Sequence, residues 1–187
     1  MPHLRALLPA LVLALSAGLA AQDAARWPQP AAGWWERLQA GDRAVYEVRQ
    51  GPQSMKLVIT VDKVEDAKVT FSAQTFLGDQ PTPRQTQTID ARTDQDMNGG
   101  LPPEAKVRKL EEAKLEVGGR SFSCTVFEIV LPDATIKAWH CPELPPIFSA
   151  SNVQVEAESQ GEPSSMKLID LTLASAAREQ PAPEGSR

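Results

Sequence analysis

From Tyr46 onwards, apolar and polar residues alternate with a period of two, the signature of strands that bury one face. Tyr46 and Val48 share one face of a first strand, Leu57, Ile59 and Val61 one face of a second, and Val69, Phe71 and Ala73 one face of a third. Arg84 to Asp90 alternates weakly, and its Gln and Thr residues suit an edge strand. Leu115 and Val117 begin another strand before the turn signal Gly118-Gly119. Ser121–Leu131, Thr135–Cys141, Asn152–Ser159 and Met166–Leu173 complete a set of nine. Two segments break the rhythm. Trp34-Trp35-Glu36-Arg37-Leu38 reads as a short helical turn stopped near Gly41. Pro102-Pro103-Glu104 to Ala113 carries prolines and then Lys and Glu at helical spacing, a proline-first helix signal.

Nine short strands with one-sided alternation predict an antiparallel sheet covering a core on one face. A sheet of that size in a small domain must curl or split. The expected fold is mainly β: a strongly curved antiparallel sheet, half-barrel-like, with one or two short helices against its concave side. A two-sheet sandwich is the alternative. Gln50-Gly51-Pro52 before Ser54-Met55-Lys56-Leu57 is echoed by Gln160-Gly161-Glu162-Pro163 before Ser165-Met166-Lys167-Leu168. Both read as a hairpin turn and the start of a strand, an echo that duplication or turn chemistry alone can produce.

The two ends have a different character. Met1 to Ala20 (MPHLRALLPALVLALSAGLA) has a basic residue at Arg5, an apolar run from Ala6 to Ala17, and small residues at Gly18 and Ala20. This is the pattern of a secretory signal peptide, cleaved after Ala20 or after Ala21. The run is shorter than the roughly 20 apolar residues that a bilayer-spanning helix needs. Residues 21–33, rich in Ala, Pro and Gln, read as a flexible linker, and residues 175–187 as a polar, proline-broken, disordered tail. That leaves 34–174 as a single β-rich domain. No later segment approaches membrane-spanning length, so the expected product is soluble, and periplasmic or secreted. Among 187 residues with a net charge of -5 there is room for one domain and no basic face to coat nucleic acid.

Export changes the meaning of the two cysteines. Leu131-Pro132-Asp133-Ala134 punctuates two apolar runs as a turn. Centring the hairpin on Pro132 and Asp133 pairs Glu128 with Lys137, Ile129 with Ile136, Phe127 with Ala138 and Val126 with Trp139, all favourable cross-strand types. The same register sets Cys124 opposite Cys141, in a non-hydrogen-bonded pair whose spacing a disulfide can span. A redox C-x-x-C is absent. The expectation is therefore a structural disulfide between Cys124 and Cys141, stabilising by about 3 kcal/mol.

Other candidate chemistry is thinner. Asp94-Gln95-Asp96-Met97-Asn98-Gly99 matches the first half of a calcium loop, with Asp94, Asp96 and Asn98 as oxygen ligands. The second half fails, because Ala105 stands where the bidentate glutamate belongs and Glu104 is one residue early. An acidic surface loop is the reading preferred. His3 leaves with the signal, so His140 is the mature chain's histidine; with no G-x-S-x-G, H-E-x-x-H or G-x-x-x-x-G-K, it reads as structural, buried or hydrogen-bonded to Thr125. Trp27, Trp34, Trp35 and Trp139 read as caps on the core rather than a ligand groove. Leu144-Pro145-Pro146-Ile147-Phe148 reads as a crossover that drops Ile147 and Phe148 into the core. No catalytic residue and no cofactor is assigned.

After an export signal, Trp35-x-x-Leu38-x-x-Gly41-Asp42-x-x-x-Tyr46, then Phe122-x-Cys124 with Glu128, then Trp139 and Glu143-Leu144-Pro145, resembles the order of elements in secreted bacterial β-rich proteins. The architecture is similar to the half-barrel of the outer-membrane lipoprotein carriers, the LolA-like proteins. That resemblance implies a curved sheet holding helices over an apolar cavity. No family functional residue matches, so none is carried over. The function expected is an exported, non-enzymatic β-domain that binds an apolar ligand (lipid or lipoprotein) or an envelope protein. Its alternatives are a calcium-stabilised envelope module and an accessory enzyme whose site is built from scattered residues.

Overall fold

A computed structural model describes residues 27–28, 32–92, 101–102 and 104–174. The expected signal peptide, much of the linker, the half-loop with Asp94, Asp96 and Asn98, and the tail 175–187 lie outside the described residues. Ten strands form one antiparallel sheet. They are β1 (Arg43–Gln50), β2 (Gln53–Glu65), β3 (Lys68–Leu77), β4 (Gln80–Pro81) and β5 (Gln85–Asp90), then β6 (Lys106–Val117), β7 (Arg120–Val130), β8 (Ala134–His140), β9 (Asn152–Ser159) and β10 (Glu162–Thr172). The spatial order is β4-β3-β2-β1-β10-β9-β8-β7-β6, with β5 also paired to β3. The sheet is curved and unclosed. The half-barrel expectation is met and the sandwich alternative is not.

The helix expected over Pro102–Ala113 is a strand instead. Residues from Lys106 pair with β7, placing Val107 opposite Ile129, Arg108 opposite Glu128 and Lys109 opposite Phe127. Helix propensity in that Lys- and Glu-rich run is worth tenths of a kcal/mol per residue, and a ladder of cross-strand partners outweighs it. Where helices were expected inside the curve, the chain uses a turn and a loop. Trp34–Arg37 forms one turn of 3₁₀ helix, with Trp34 buried. The crossover between β8 and β9 then sends Ile147 and Phe148 into the core, as its sequence predicts, and Leu144 with them.

That core collects Ala44 and Tyr46 of β1, Val61 of β2, Val69 of β3, Ile89 of β5, Val117 of β6, Cys124 and Val126 of β7, Trp139 of β8, Val153 of β9 and Leu168 of β10. Nine strands therefore share one interior. Bulges help bend the sheet around it: register shifts occur at Val45/Tyr46, Val61/Lys63, Lys109/Glu112 and Trp139/His140. A second, smaller cluster holds Phe127, Ile129, Ala138 and Ala105 under Trp27. Because Cys124 and Val126 alternate with Phe127 and Ile129, the two clusters occupy opposite faces of β7. Trp27, within the segment read as a linker, is thus buried and packs its ring 5.4 Å from that of Phe127.

The Leu38-x-x-Gly41-Asp42-x-x-x-Tyr46 pattern has a mechanical explanation. Gly41 turns the chain at φ 97°, a conformation L side chains resist, and its N–H donates to the Val61 carbonyl at 2.9 Å. The fully buried Asp42 carboxylate accepts from the Gln39 N–H at 2.8 Å and from the Ala174 N–H at 2.7 Å. One side chain thus fastens the entrance of β1 to the exit of β10. Tyr46, also fully buried, donates to the Asn152 carbonyl at 3.4 Å.

The sequence echo also has a structural reason. β1 is flanked by β2 and β10, and the two Ser-Met-Lys segments lie on either side of the same three residues. Lys56 and Lys167 flank Glu47, Met55 and Met166 flank Val48, and Ser54 and Ser165 flank Arg49. Equivalent neighbours of one strand meet equivalent requirements.

Candidate functional site

Directly opposite residues in neighbouring strands share a face, so the register lists can be followed across the sheet. One such row runs Arg108 (β6), Glu128 (β7), Lys137 (β8), Glu156 (β9), Ser165 (β10) and Arg49 (β1). Its charges alternate through the first four strands. Arg108 pairs with Glu128 at 2.9 Å, and Arg49 with Glu47 at 3.0 Å. The Lys137 ammonium sits 4.8 Å from the centre of the Trp139 ring, an attraction between cation and aromatic face. The Gln154 amide donates to Glu156 at 2.7 Å. Arg49, Lys137, Glu156 and Ser165 of this row, with Thr135 and Glu158 beside them, line an open depression of about 490 Å³. Gly51, Ala157 and Pro163 also line it, so charged and hydroxylic side chains surround apolar surface, the mixture that a protein interface presents.

Sequence reasoning found Glu128 with Lys137 but missed the row, because β9, β10 and β1 bring their members from distant parts of the chain. The only available signal was the alternation of charge at period two within each strand.

The buried reactive groups are engaged elsewhere. The hairpin register is as expected: Thr125 opposes His140, Val126 Trp139, Phe127 Ala138, Glu128 Lys137 and Ile129 Ile136. Cys124 and Cys141, both fully buried thiols in this structure, stand next in that series. The Cys124 thiol donates to the Phe122 carbonyl at 3.8 Å. Interaction between the two neighbouring thiols is the main cause that pushes Cys124 up and draws Cys141 down. Burial adds to the first shift and opposes the second, while the N–H groups of Glu143 and Leu144 favour the Cys141 thiolate.

His140 points to the face opposite Cys141. Its ring lies edge-on to Trp27 at 5.7 Å and to Phe127 at 6.3 Å. Burial lowers its pKa below the ordinary 6.5, and a hydrogen bond with the Ala150 backbone partly offsets this. The Thr125 hydroxyl, the partner considered for it, donates instead to Glu112 at 3.0 Å. Trp34 and Trp139 are core residues, and Trp35 packs edge-on against Trp34 at 6.2 Å. Among the described residues no group of three or more His, Cys, Asp and Glu could hold a metal ion. No described helix is long and apolar enough to cross a membrane.

What these observations define is a curved, unclosed all-β domain whose interior is filled by its own crossover and whose polar chemistry lies on a strand face. No protein-family model matches the sequence, and no curated protein matches it. Solved structures do resemble it in fold. The crystal structure of MucB in complex with MucA(peri) matches with a TM-score of 0.50 at 13% identity, over 81% of this chain and 58% of that one. The Pseudomonas aeruginosa MucA/MucB complex gives 0.47 at 13% identity, over 75% and 56%. The hypothetical protein CT021 from Chlamydia trachomatis gives 0.43 at 10% identity, over 81% and 94%. The chain thus spans less than two thirds of the MucB chain it matches, and the likeness is one of fold.

Proposed function

We propose that this chain is an exported, non-enzymatic β-domain of the bacterial envelope that binds a protein partner on the strand face carrying the Arg108–Arg49 row. The observation that carries the reading is the open depression on that row, with Arg49, Lys137, Glu156 and Glu158 around it, combined with a core filled by the chain's own side chains. In a carrier of the LolA-like kind an apolar ligand would occupy the curve of the sheet. Here Trp34, Leu38, Leu144, Ile147 and Phe148 occupy it. The fold likeness to MucB, solved in complex with MucA(peri), supports a protein rather than a lipid as the occupant of this chain's binding surface. The apolar run of Met1–Ala20, with the small residues that precede Ala21, supports delivery to the periplasm as a soluble protein.

The test uses the full chain, made with its own first twenty residues in its source cell. A photo-cross-linking residue replaces Thr135 or Glu158 at the depression, or Glu65 at the far end of β2 as a control. Identification by mass spectrometry should give one envelope protein joined at the first two positions and not at the third. Edman sequencing of the same material should start at Ala21 or Gln22. Native mass spectrometry that finds a stoichiometric lipid, with no protein cross-linked at either depression position, overturns the reading.

A further inference from the structure

We infer that Cys124 and Cys141 close an intrachain disulfide during folding in an oxidising compartment, locking β7 to the junction between β8 and the crossover that fills the core. The inference stands on the hairpin's register and is independent of the partner reading.

Three observations of the backbone support the pairing. The Leu131 N–H donates to the Ala134 carbonyl at 2.8 Å, which marks that pair as the hydrogen-bonded one next to the turn. Counting along the ladder from there, hydrogen-bonded and non-hydrogen-bonded pairs alternate without interruption to Thr125 and His140. The next pair, Cys124 and Cys141, is of the non-hydrogen-bonded kind, where Cα atoms lie about 4.5 Å apart, inside the range a disulfide spans. In such a pair each N–H points away from its partner strand. The Cys141 N–H does so, donating at 2.8 Å to the Ser151 carbonyl on the opposite side.

The chemistry balances with a disulfide-bearing oxidant, an oxidised dithiol protein or glutathione disulfide. The Cys141 thiolate attacks one sulfur of that oxidant, forms a mixed disulfide and expels the other sulfur as a thiol. The Cys124 thiolate then attacks the Cys141 sulfur, breaks the mixed bond and expels the second thiol. The chain loses two electrons and two protons; the oxidant's disulfide gains them as two thiols. Because both cysteines are fully buried in the folded state, the exchange takes place before the core closes over them. The two cysteines can exchange roles in these steps without changing the balance.

The full chain is unfolded in guanidinium and refolded in glutathione redox buffer or under reductant. It is then denatured with iodoacetamide, and its intact mass is read. After redox refolding it should take no carbamidomethyl group, run as a monomer on a non-reducing gel, and take two groups once reduced. The oxidised form should melt roughly 5–10 °C above the reduced form. The doubly substituted Cys124→Ala, Cys141→Ala chain should melt alike in both buffers. Two alkylatable thiols after redox refolding, a disulfide-linked dimer, or a buffer-dependent melting shift that survives in the double variant overturns the inference. The mass measurement is made on denatured chain, so it holds even where a variant fails to fold.

Discussion

Truncating Phe148 to alanine tests whether a loop does the work that helices were expected to do. Phe148 is fully buried, midway along the crossover between β8 and β9. Its N–H donates to the Pro145 carbonyl at 2.9 Å and its carbonyl accepts from the Ser151 N–H at 3.1 Å. Phe148→Ala leaves those backbone bonds available, so the perturbation is the ring alone. Removing a buried phenylalanine costs about 3–5 kcal/mol, as lost transfer free energy plus the cavity left behind. The upper half of that range applies here. The segment is braced by Pro145 and Pro146 and by the turn bond from Leu144 N–H to the Cys141 carbonyl at 3.1 Å, so collapse into the cavity is restricted.

Against a total stability of about 5–15 kcal/mol, such a loss is large. Melting should fall by roughly 10–20 °C. Urea titration followed by tryptophan fluorescence should show a lower midpoint at an unchanged slope, because the surface exposed on unfolding stays the same. Leu77→Ala provides the contrast: that side chain is 48% exposed at the end of β3, and its loss should stay within about 0.5 kcal/mol. Equal, small losses in both variants would refute the view that the crossover is the centre of the core.

Two further outcomes follow from buried polar groups. Because burial depresses His140 below 6.5 in the folded chain, the unfolded state takes up a proton first as pH falls; stability from this group is therefore full above that pH and declines below it, until the folded histidine also titrates. Urea unfolding between pH 5 and 8 should show this decline, and His140→Phe, which keeps a ring against Trp27 and Phe127, should lessen it; identical slopes in both proteins would defeat the assignment. Asp42→Ala strands the N–H groups of Gln39 and Ala174 in a buried site and should cost about 3 kcal/mol, whereas Asp62→Ala, on a partly exposed side chain, should cost less than 1 kcal/mol.

The parts of the fold legible in the sequence are those fixed by local alternation and turns. The hairpin around Pro132-Asp133 came out pair by pair, because a slip of one residue would turn Ile129 and Phe127 to the wrong face. The end of β6 at Leu115 and Val117 was legible as strand, but the part up to Ala113 was misread, because its pattern of Lys and Glu is compatible with both periods and its apolar positions are few. What decides it is β7, which offers Ile129, Glu128 and Phe127 as partners. Trp27 could not be placed from its own neighbours, since Phe127 and His140 lie a hundred residues or more away along the chain. The charged row was hidden for the same reason: each strand contributes one member, and only the strand order assembles them.

The outer edges of the sheet bear on how a partner can be held. An unpaired strand edge invites another strand to add to it, and β6 carries the devices that discourage this. Lys106, Arg108, Lys109, Glu111, Glu112, Lys114 and Glu116 crowd it with charge. Leu110 and Glu111 bulge opposite Val126, and the Lys109–Glu112 ion pair at 2.5 Å spans the bulge. At the other side β5 is short, with ion pairs from Arg84 to Asp62 and from Arg92 to Asp66 at its two ends. A partner that added a strand at β6 would have to straighten the bulge and desolvate its charges. A partner laid across the Lys137–Arg49 part of the row meets no ladder to straighten, and Lys137 is already held over the Trp139 ring. The proposed partner is therefore expected on the face rather than at the edge.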